Sequence, residues 1–568
     1  MGAIFGLVGE GSLAEVRAMG GAVTHRGEFQ QIWSPAPNVY FGQAAHRQFE
    51  IATPSIATDW NVAAGAAVSD LFGRLGRQAL ASLRGSFAVA LCDGPGQVTL
   101  AIDQVGYKTI YYAVLRDRFA FASEYKSLLV LDDFPLDPDR TAIQRYLATK
   151  YPMGGRSFLA RARPLQGGQM LQWRDRRATV STYWKPATDA VPRTRDAHVA
   201  VVRDALLEAV HRQAQAYERV SITLGGGVDA AIVLGAIRRA APDVRVSSFT
   251  IGAAADDWEI VGARETAGEF GTEHHESVFD PSVIPTELPR LVWLTEDCGS
   301  REEAMLQMQV LREAGTQTGV VFGGHGADVL FGGMPRHRLV GLAERLPMFR
   351  TPLRDLFQLS QASVPPSTIL GRALQAAVYG RTPPQALRVP GADATRGVFW
   401  RPEVNEFIRG TIQRMHSFNY LEPGHEVSGA AFHSPFLDPD MIAASLTVPG
   451  QLKSGWWSQK WVLREAARDL LPASILQRRK AIQQLDVHGT MGAVLADLAG
   501  QWLVGSAIEQ HRLLTASQLQ ELRRTRDRSR QSREAANLLW SVLSLECWAR
   551  QFLGAPANTL AQVNAAPD

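Results

Sequence analysis

Three consecutive glycines, Gly225, Gly226 and Gly227, end an apolar alternation (Val220, Ile222, Leu224) and precede a helical pattern from about Val228. A strand-to-helix turn of this composition suits an anion. Its backbone N–H groups converge at a helix N-terminus, where the dipole favours negative charge, and glycine lets a phosphate approach the backbone. Asp229, in the first helical turn, could hold a divalent cation against that phosphate. Close packing of helix on strand would use the same glycines, so one such turn decides nothing. A second turn, Gly323-Gly-His-Gly-Ala-Asp328, follows the apolar run Val320-Val-Phe322. Two glycine loops, each bearing an aspartate and each following a strand, should open onto the same edge of a parallel sheet. Together they point to a nucleotide-phosphate site.

The elements that must position these loops follow from periodicity. His198–Arg212 carries Val199, Val202, Leu206 and Val210 at helical spacing. Val244–Ile251 reads as a strand, Asp257–Phe270 as a helix, and Arg301–Ala314 as a helix leading into Val320–Phe322. Strand alternating with helix implies a parallel sheet with crossovers. The first 130 residues read differently. Phe87–Asp93 and Val98–Ile102 flank Gly94-Pro-Gly96, a hairpin signal, and Tyr111–Leu115 pairs with Phe119–Ala122. Helical residues return at Tyr125–Leu131 and Thr141–Lys150, and Tyr151–Trp184 reads as a connector with a hairpin. Pro186 and Pro192 flank a polar segment, which places a domain boundary near residue 190. Residues 340–430 are proline-punctuated and weakly patterned. Trp461–Leu471 and Ala535–Phe552 read as helices.

The composition narrows the class. A chain of 568 residues is too long for one core. Its 46% hydrophobic and 20% charged residues are ordinary for a globular protein, and a formal net charge of +3 implies no general attraction to nucleic acid or membrane. Cys92, Cys298 and Cys547 show neither metal spacing nor a disulfide framework. No signal peptide or spanning segment is recognisable, so a cytoplasmic location is expected. The arginine-rich run Glu521–Arg533 reads as a solvated helix face, with a docking surface for an acidic peptide as the alternative.

With their flanks, the two loops resemble the class B asparagine synthetase superfamily. Ile4-Phe-Gly6, His25-Arg-Gly27, Leu83–Ala88, Gly106–Tyr112 and Phe121–Lys126 are similar to its glutaminase half. Gly225–Asp229, Gly324–Asp328, Pro435–Asp438, Trp461–Arg464, Leu471-Pro472 and Arg479-Lys480 are similar to its synthetase half. The resemblance implies an α/β multi-domain chain. Residues 1–190 would form an Ntn-hydrolase-like β-sandwich layered with helices. Residues 191–554 would form a parallel-sheet ATP-pyrophosphatase (PP-loop) domain with helical extensions, and 555–568 a flexible tail. It further implies ATP bound near Leu224, Ile251, Gly323 and Gly324 and along Gly225–Gly227, Mg²⁺ held by Asp229 and Asp328, and Lys480 stabilising the charge that develops during the reaction. His325 stands where an imidazole could take a proton from an attacking amine.

Departures from the family pattern carry the functional expectation. Position 2, where the family's glutaminase has its nucleophilic cysteine, is Gly2, and Trp60–Gly65 lacks the acidic residue that would hold glutamine. A synthetase half without ammonia from glutamine needs another amine. The branches that lost the cysteine, lasso-peptide macrolactam synthetases and β-lactam synthetases, resemble this chain. Gly332-Gly-Met334 and Lys460–Arg464 look like the β-lactam branch, whereas the long 340–430 segment suits a threaded peptide. The lasso-type reading implies a precursor peptide as substrate, with a leader-peptide-binding protein and a leader protease as partners, and neither nucleic acid nor membrane. The family's Ser-Gly-Gly-x-Asp-Ser turn is Gly225-Gly-Gly-Val-Asp-Ala230 here, and Val329 replaces a frequent glutamate. Both hydroxyls that would donate to pyrophosphate are absent, which leaves open a non-catalytic homologue that binds a peptide or partner.

Overall fold

A computed structural model describes residues 2–46, 56–60, 78–149, 155–298, 302–351, 353–354, 401–412, 430–454, 459–478, 490–530 and 533–554. Lys480, Asn61–Gly65, most of 340–430 and the 555–568 tail therefore lie outside the described residues.

The first half is a two-sheet sandwich. Its strands are β1 (Gly2–Val8), β2 (Phe29–Ala36), β3 (Val39–Ala45), β4 (Ile56–Trp60), β5 (Phe87–Gly94), β6 (Gln97–Ile102), β7 (Tyr111–Val114), β8 (Phe119–Ala122), β9 (Arg163–Pro164), β10 (Gln169–Arg174) and β11 (Arg177–Thr182). One sheet has the order β2-β3-β1-β8-β7-β9, the other β11-β10-β6-β5-β4. Both expected hairpins form, with Val89 opposite Ala101 and Tyr112 opposite Phe121. Alternating side chains of the two sheets interdigitate: Ile4, Val8, Phe41 and Phe121 meet Ala90, Leu100, Leu171 and Trp173. Phe119 stacks on Trp173 with ring centroids 4.9 Å apart.

The second half carries a parallel sheet of order β14-β13-β12-β15-β16. These strands are β12 (Arg219–Thr223), β13 (Arg245–Gly252), β14 (Glu273–Val278), β15 (Val320–Phe322) and β16 (Ala431–His433). All four pairings are parallel, with Ile222 opposite both Ser248 and Phe322. Helices α1 (Arg195–Ala214), α2 (Val228–Ala240), α3 (Trp258–Phe270), α4 (Ile284–Thr295) and α5 (Glu302–Thr318) supply the crossovers and flanks. Thr194 starts α1 by accepting the Ala197 N–H, as an N-cap should. The burial of most of α2 explains its unbroken apolar run from Ala230 to Ile237.

The structure differs from the sequence reading at several places, including helices at Leu13–Gly21 and Ile284–Thr295 that the sequence reading does not contain. The helix expected over Trp461–Leu471 is a short α6 (Trp461–Ala466) followed by turns through Leu470. Tyr125–Leu131 is a 3₁₀ turn at Tyr125–Ser127 followed by further turns. Strand β14, Glu-His-His-Glu-Ser-Val, is an edge strand whose charged residues mask any apolar alternation. Strand β16 has only three residues, too few to show a period.

Candidate functional site

Strands β13, β12 and β15 lie side by side, so Ile251, Leu224 and Gly323 come together at their carboxyl edge. The Leu224 N–H donates to the Phe249 carbonyl at 2.8 Å, and the Gly323 N–H to the His433 carbonyl at 3.0 Å. These bonds fix where each loop leaves the sheet. The two loops then lock together. A Cβ at Gly324 would lie 2.6 Å from the Ala230 nitrogen and 2.9 Å from the Asp229 Cβ, so only glycine permits the approach.

The three glycines of the first loop do different things. Gly226 presses on α3: a Cβ there would stand 2.5 Å from the Trp258 carbonyl oxygen and overlap its ring, and one turn further along α3 a Cβ at Gly262 would lie 2.6 Å from the Gly226 Cα. Gly227, the N-cap of α2, has open space where a Cβ would go. At Gly225 the atoms nearest to an added Cβ are those of the Glu259 carboxylate. That carboxylate accepts the Gly226 N–H at 2.6 Å, so the loop is a cradle for an anion and fits a nucleotide phosphate.

Asp229 and Asp328 converge as expected, with a cation between them supplied by the chain. Lys460 Nζ lies 2.6 Å from both Asp229 oxygens and 2.6 Å from Asp328 Oδ1. Burial works against the ammonium charge, but Asp229 and Asp328 outweigh it and raise the Lys460 pKa above the ordinary lysine value. The backbone brings the lysine there by an unusual route. Lys460 sits in the left-handed region, φ 59°, at the N-cap of α6, and its N–H donates to the Lys453 carbonyl at 2.8 Å. Gly333 leaves room, since a Cβ there would overlap Asp328 Oδ1 and Lys460 Cε. Two facing carboxylates that already share one cation fit Mg²⁺. Among the described residues no group of three or more metal-ligating side chains occurs.

His325 turns inward. Its ring meets Phe432 edge-on at 5.2 Å, its carbonyl accepts the Ser434 hydroxyl at 2.5 Å, and burial lowers its pKa to about 4. The imidazole is neutral at pH 7, and so low a pKa makes it a weak acceptor for an ammonium proton. Lys480 lies outside the described residues; the described segment ends at Arg478, which is held on both sides. Arg464 donates to the carbonyls of Leu476 and of Arg478, the latter at 3.0 Å, while Arg478 donates to the Gly262 carbonyl and to Thr266 Oγ1, both at 2.8 Å.

In the glutaminase-like half, position 2 has no room for a side-chain nucleophile. A Cβ at Gly2 would overlap the Ala44 carbonyl oxygen, and one at Gly27 the Ala45 backbone. Arg26 holds the Gly2 carbonyl at 3.2 Å and pairs with Glu124.

Residues 201–550 match the family model described as asparagine synthase. The chain belongs to the asparagine synthase family. Residues 65–184 of this synthase-family chain match the model of a glutamine amidotransferase domain. It is 27% identical over 447 residues to asparagine synthetase [glutamine-hydrolyzing] 1 of Bacillus subtilis, covering 71% of this chain and 68% of that protein. A putative asparagine synthetase of Mycobacterium tuberculosis H37Rv is 28% identical over 463 residues, 73% of this chain and 69% of that one. Amidase chry2 of Gibberella zeae is 24% identical over 487 residues, covering 72% and 71%. Membership makes this an asparagine-synthetase-like ligase that forms amides at the expense of ATP. Lys460 and Glu259, which sequence reasoning gave no role, complete the site. Lys460 stood inside a recognised motif, but its meeting with Asp229, 231 residues away, depends on the left-handed backbone.

Proposed function

We propose that this chain joins a carboxylate and an amine of one substrate molecule through an acyl-adenylate, and that the substrate is a lasso-type precursor peptide closed into a macrolactam. The observation that carries this is Gly2, where an added Cβ would overlap the Ala44 carbonyl oxygen, so that no side-chain nucleophile fits there to release ammonia from glutamine. The amine must then come with the substrate. The substrate carboxylate attacks the α-phosphorus of ATP, pyrophosphate leaves across the Gly225–Gly227 loop, and the amine attacks the acyl carbon as AMP departs. Lys460 lies where it can follow the phosphate charge, and Lys480 is assigned to the oxyanion. Mg²⁺ held by Asp229 and Asp328 would neutralise the leaving pyrophosphate. Holding both reacting groups in one molecule contributes up to about 7–11 kcal/mol to the rate in well-oriented cases. A leader-peptide-binding protein and a leader protease would present the peptide.

The test is incubation with Mg·ATP and a candidate precursor peptide, reading pyrophosphate release and loss of one water from the peptide mass. Pyrophosphate release with a small β-amino acid alone would favour the β-lactam-type reaction. No nucleotide binding by the chain, nor by the form carrying Gly225→Ser and Ala230→Ser, would favour a non-catalytic binding protein.

A further inference from the structure

Glu259 is in the first turn of α3, where a carboxylate ordinarily serves the N-terminus of its own helix. That task is done by Asp257, whose side chain accepts the Glu259 N–H at 3.1 Å and the Ala253 N–H at 3.0 Å. The Glu259 carboxylate instead crosses to the neighbouring loop and takes the Gly226 N–H at 2.6 Å. Its base cannot drift, because Trp258 and Gly262 clamp α3 against Gly226. Its path is open only because residue 225 has no side chain: a Cβ there would overlap Glu259 Oε2. The glycine that departs from the family's serine and the carboxylate on the phosphate loop are therefore one feature.

Resting on the nucleotide reading above, we propose that Glu259 is a built-in competitor for the phosphate loop. Its carboxylate takes the Gly226 N–H when no nucleotide is bound and withdraws for the pyrophosphate group of a nucleoside triphosphate; Gly225 is the residue that admits it. The charges fix the direction of the effect. Around the loop Lys460 is already engaged by both Asp229 and Asp328, and the Glu259 carboxylate stands at the Gly226 N–H where a polyanion must dock. Any phosphate oxygen reaching the Gly226 N–H must first break a charge-assisted hydrogen bond.

Calorimetry on the full chain tests this with two probes, pyrophosphate in the presence of a chelator and Mg·ATP. Glu259→Ala should bind pyrophosphate about tenfold more tightly, equivalent to about 1.4 kcal/mol, with Glu259→Gln between it and the parent. Gly225→Ser should also tighten binding, and its gain should largely vanish when combined with Glu259→Ala, because both remove the same competitor. Pyrophosphate binding by a folded Glu259→Ala protein that is equal to or weaker than the parent's would overturn the proposal. So would full additivity of the two substitutions. The nucleotide reading fails separately: tighter pyrophosphate binding without Mg·ATP binding by any variant supports the competitor and removes the ligase function, whereas Mg·ATP binding with pyrophosphate affinity indifferent to Glu259 does the reverse.

Discussion

Lys460 is the residue on which the charge balance of the site turns. It is 5% exposed and holds apart two aspartates that are only about a quarter exposed themselves. Lys460→Met leaves those carboxylates facing each other without a counter-ion, a loss of roughly 3 kcal/mol when one member of a buried pair is removed. The same vacancy suits a divalent ion. Thermal unfolding of Lys460→Met should therefore fall in chelator and recover with millimolar Mg²⁺, more than in the parent, while adenylation is lost; a variant indifferent to Mg²⁺ would show that the two aspartates are not a cation site. The histidines of the sheet edge give a second prediction. Burial lowers the pKa of His433, like that of His325, to about 4. Below about pH 6.5 the unfolded chain gains protons that the folded chain refuses, so stability present above that pH is lost as the solution is acidified towards pH 4. Each histidine contributes at most about 3 kcal/mol to that loss. Between pH 6.5 and pH 4 the urea midpoint of the parent should fall further than that of His433→Gln, which lacks the titrating group; equal falls would contradict the burial of a neutral imidazole.

At the scale of elements, the phosphate loop separates glycines that matter from one that does not. Gly226→Ala must push α3 away through Trp258 and Gly262 and should cost about 1–3 kcal/mol as overpacking does, with nucleotide binding abolished. Gly227→Ala meets open space in an extended N-cap conformation, φ −79° and ψ 170°, and should bind nucleotide like the parent. Equal losses in the two variants, measured by melting temperature and ATP affinity, would contradict this geometry. The sequence shows three glycines in a row and cannot rank them, because the rank depends on a helix that starts more than thirty residues later. For the same reason Asp229 and Asp328 were legible, each being attached to its own glycine loop at the end of an apolar strand, while Glu259 was not. It reads as an ordinary first-turn acid, and its partner is set by the packing of α3 on the loop. The fold was more accessible. Hairpins and α/β crossovers announce themselves by period, whereas the charged edge strand β14 and the three-residue β16 escaped, one through its composition and the other through its length, as did the helices Leu13–Gly21 and α4.

At the scale of the molecule, the question is why a glutaminase-like half is retained around a position with no room for a nucleophile. The contact between the halves supplies the reason. Glu296, at the end of α4 in a left-handed conformation, accepts the Tyr125 N–H at 2.7 Å and the Lys126 N–H at 2.6 Å, and its carbonyl accepts the Tyr125 hydroxyl at 2.5 Å. Trp548 Nε1–H donates to the same hydroxyl at 2.7 Å, and Lys126 pairs with both Glu124 and Glu296. Burial raises the Glu296 pKa to about 7, against the pull of Lys126. The chain of buried charge thus runs from Glu296 through Lys126 and Glu124 to Arg26, which holds the Gly2 carbonyl. Position 2 is thus the far end of an interdomain brace. Two expectations follow from that arrangement. Gly2→Cys should not release ammonia from glutamine and should lower stability, since its side chain collides with the Ala44 carbonyl. Glu296→Ala strands two buried N–H groups and a lysine, a loss of about 3–5 kcal/mol when one partner of a buried pair is removed, and should split a single calorimetric unfolding transition into two. A Glu296→Ala protein that still melts in one transition would mean that the apolar contact between the halves, rather than the charged brace, couples them.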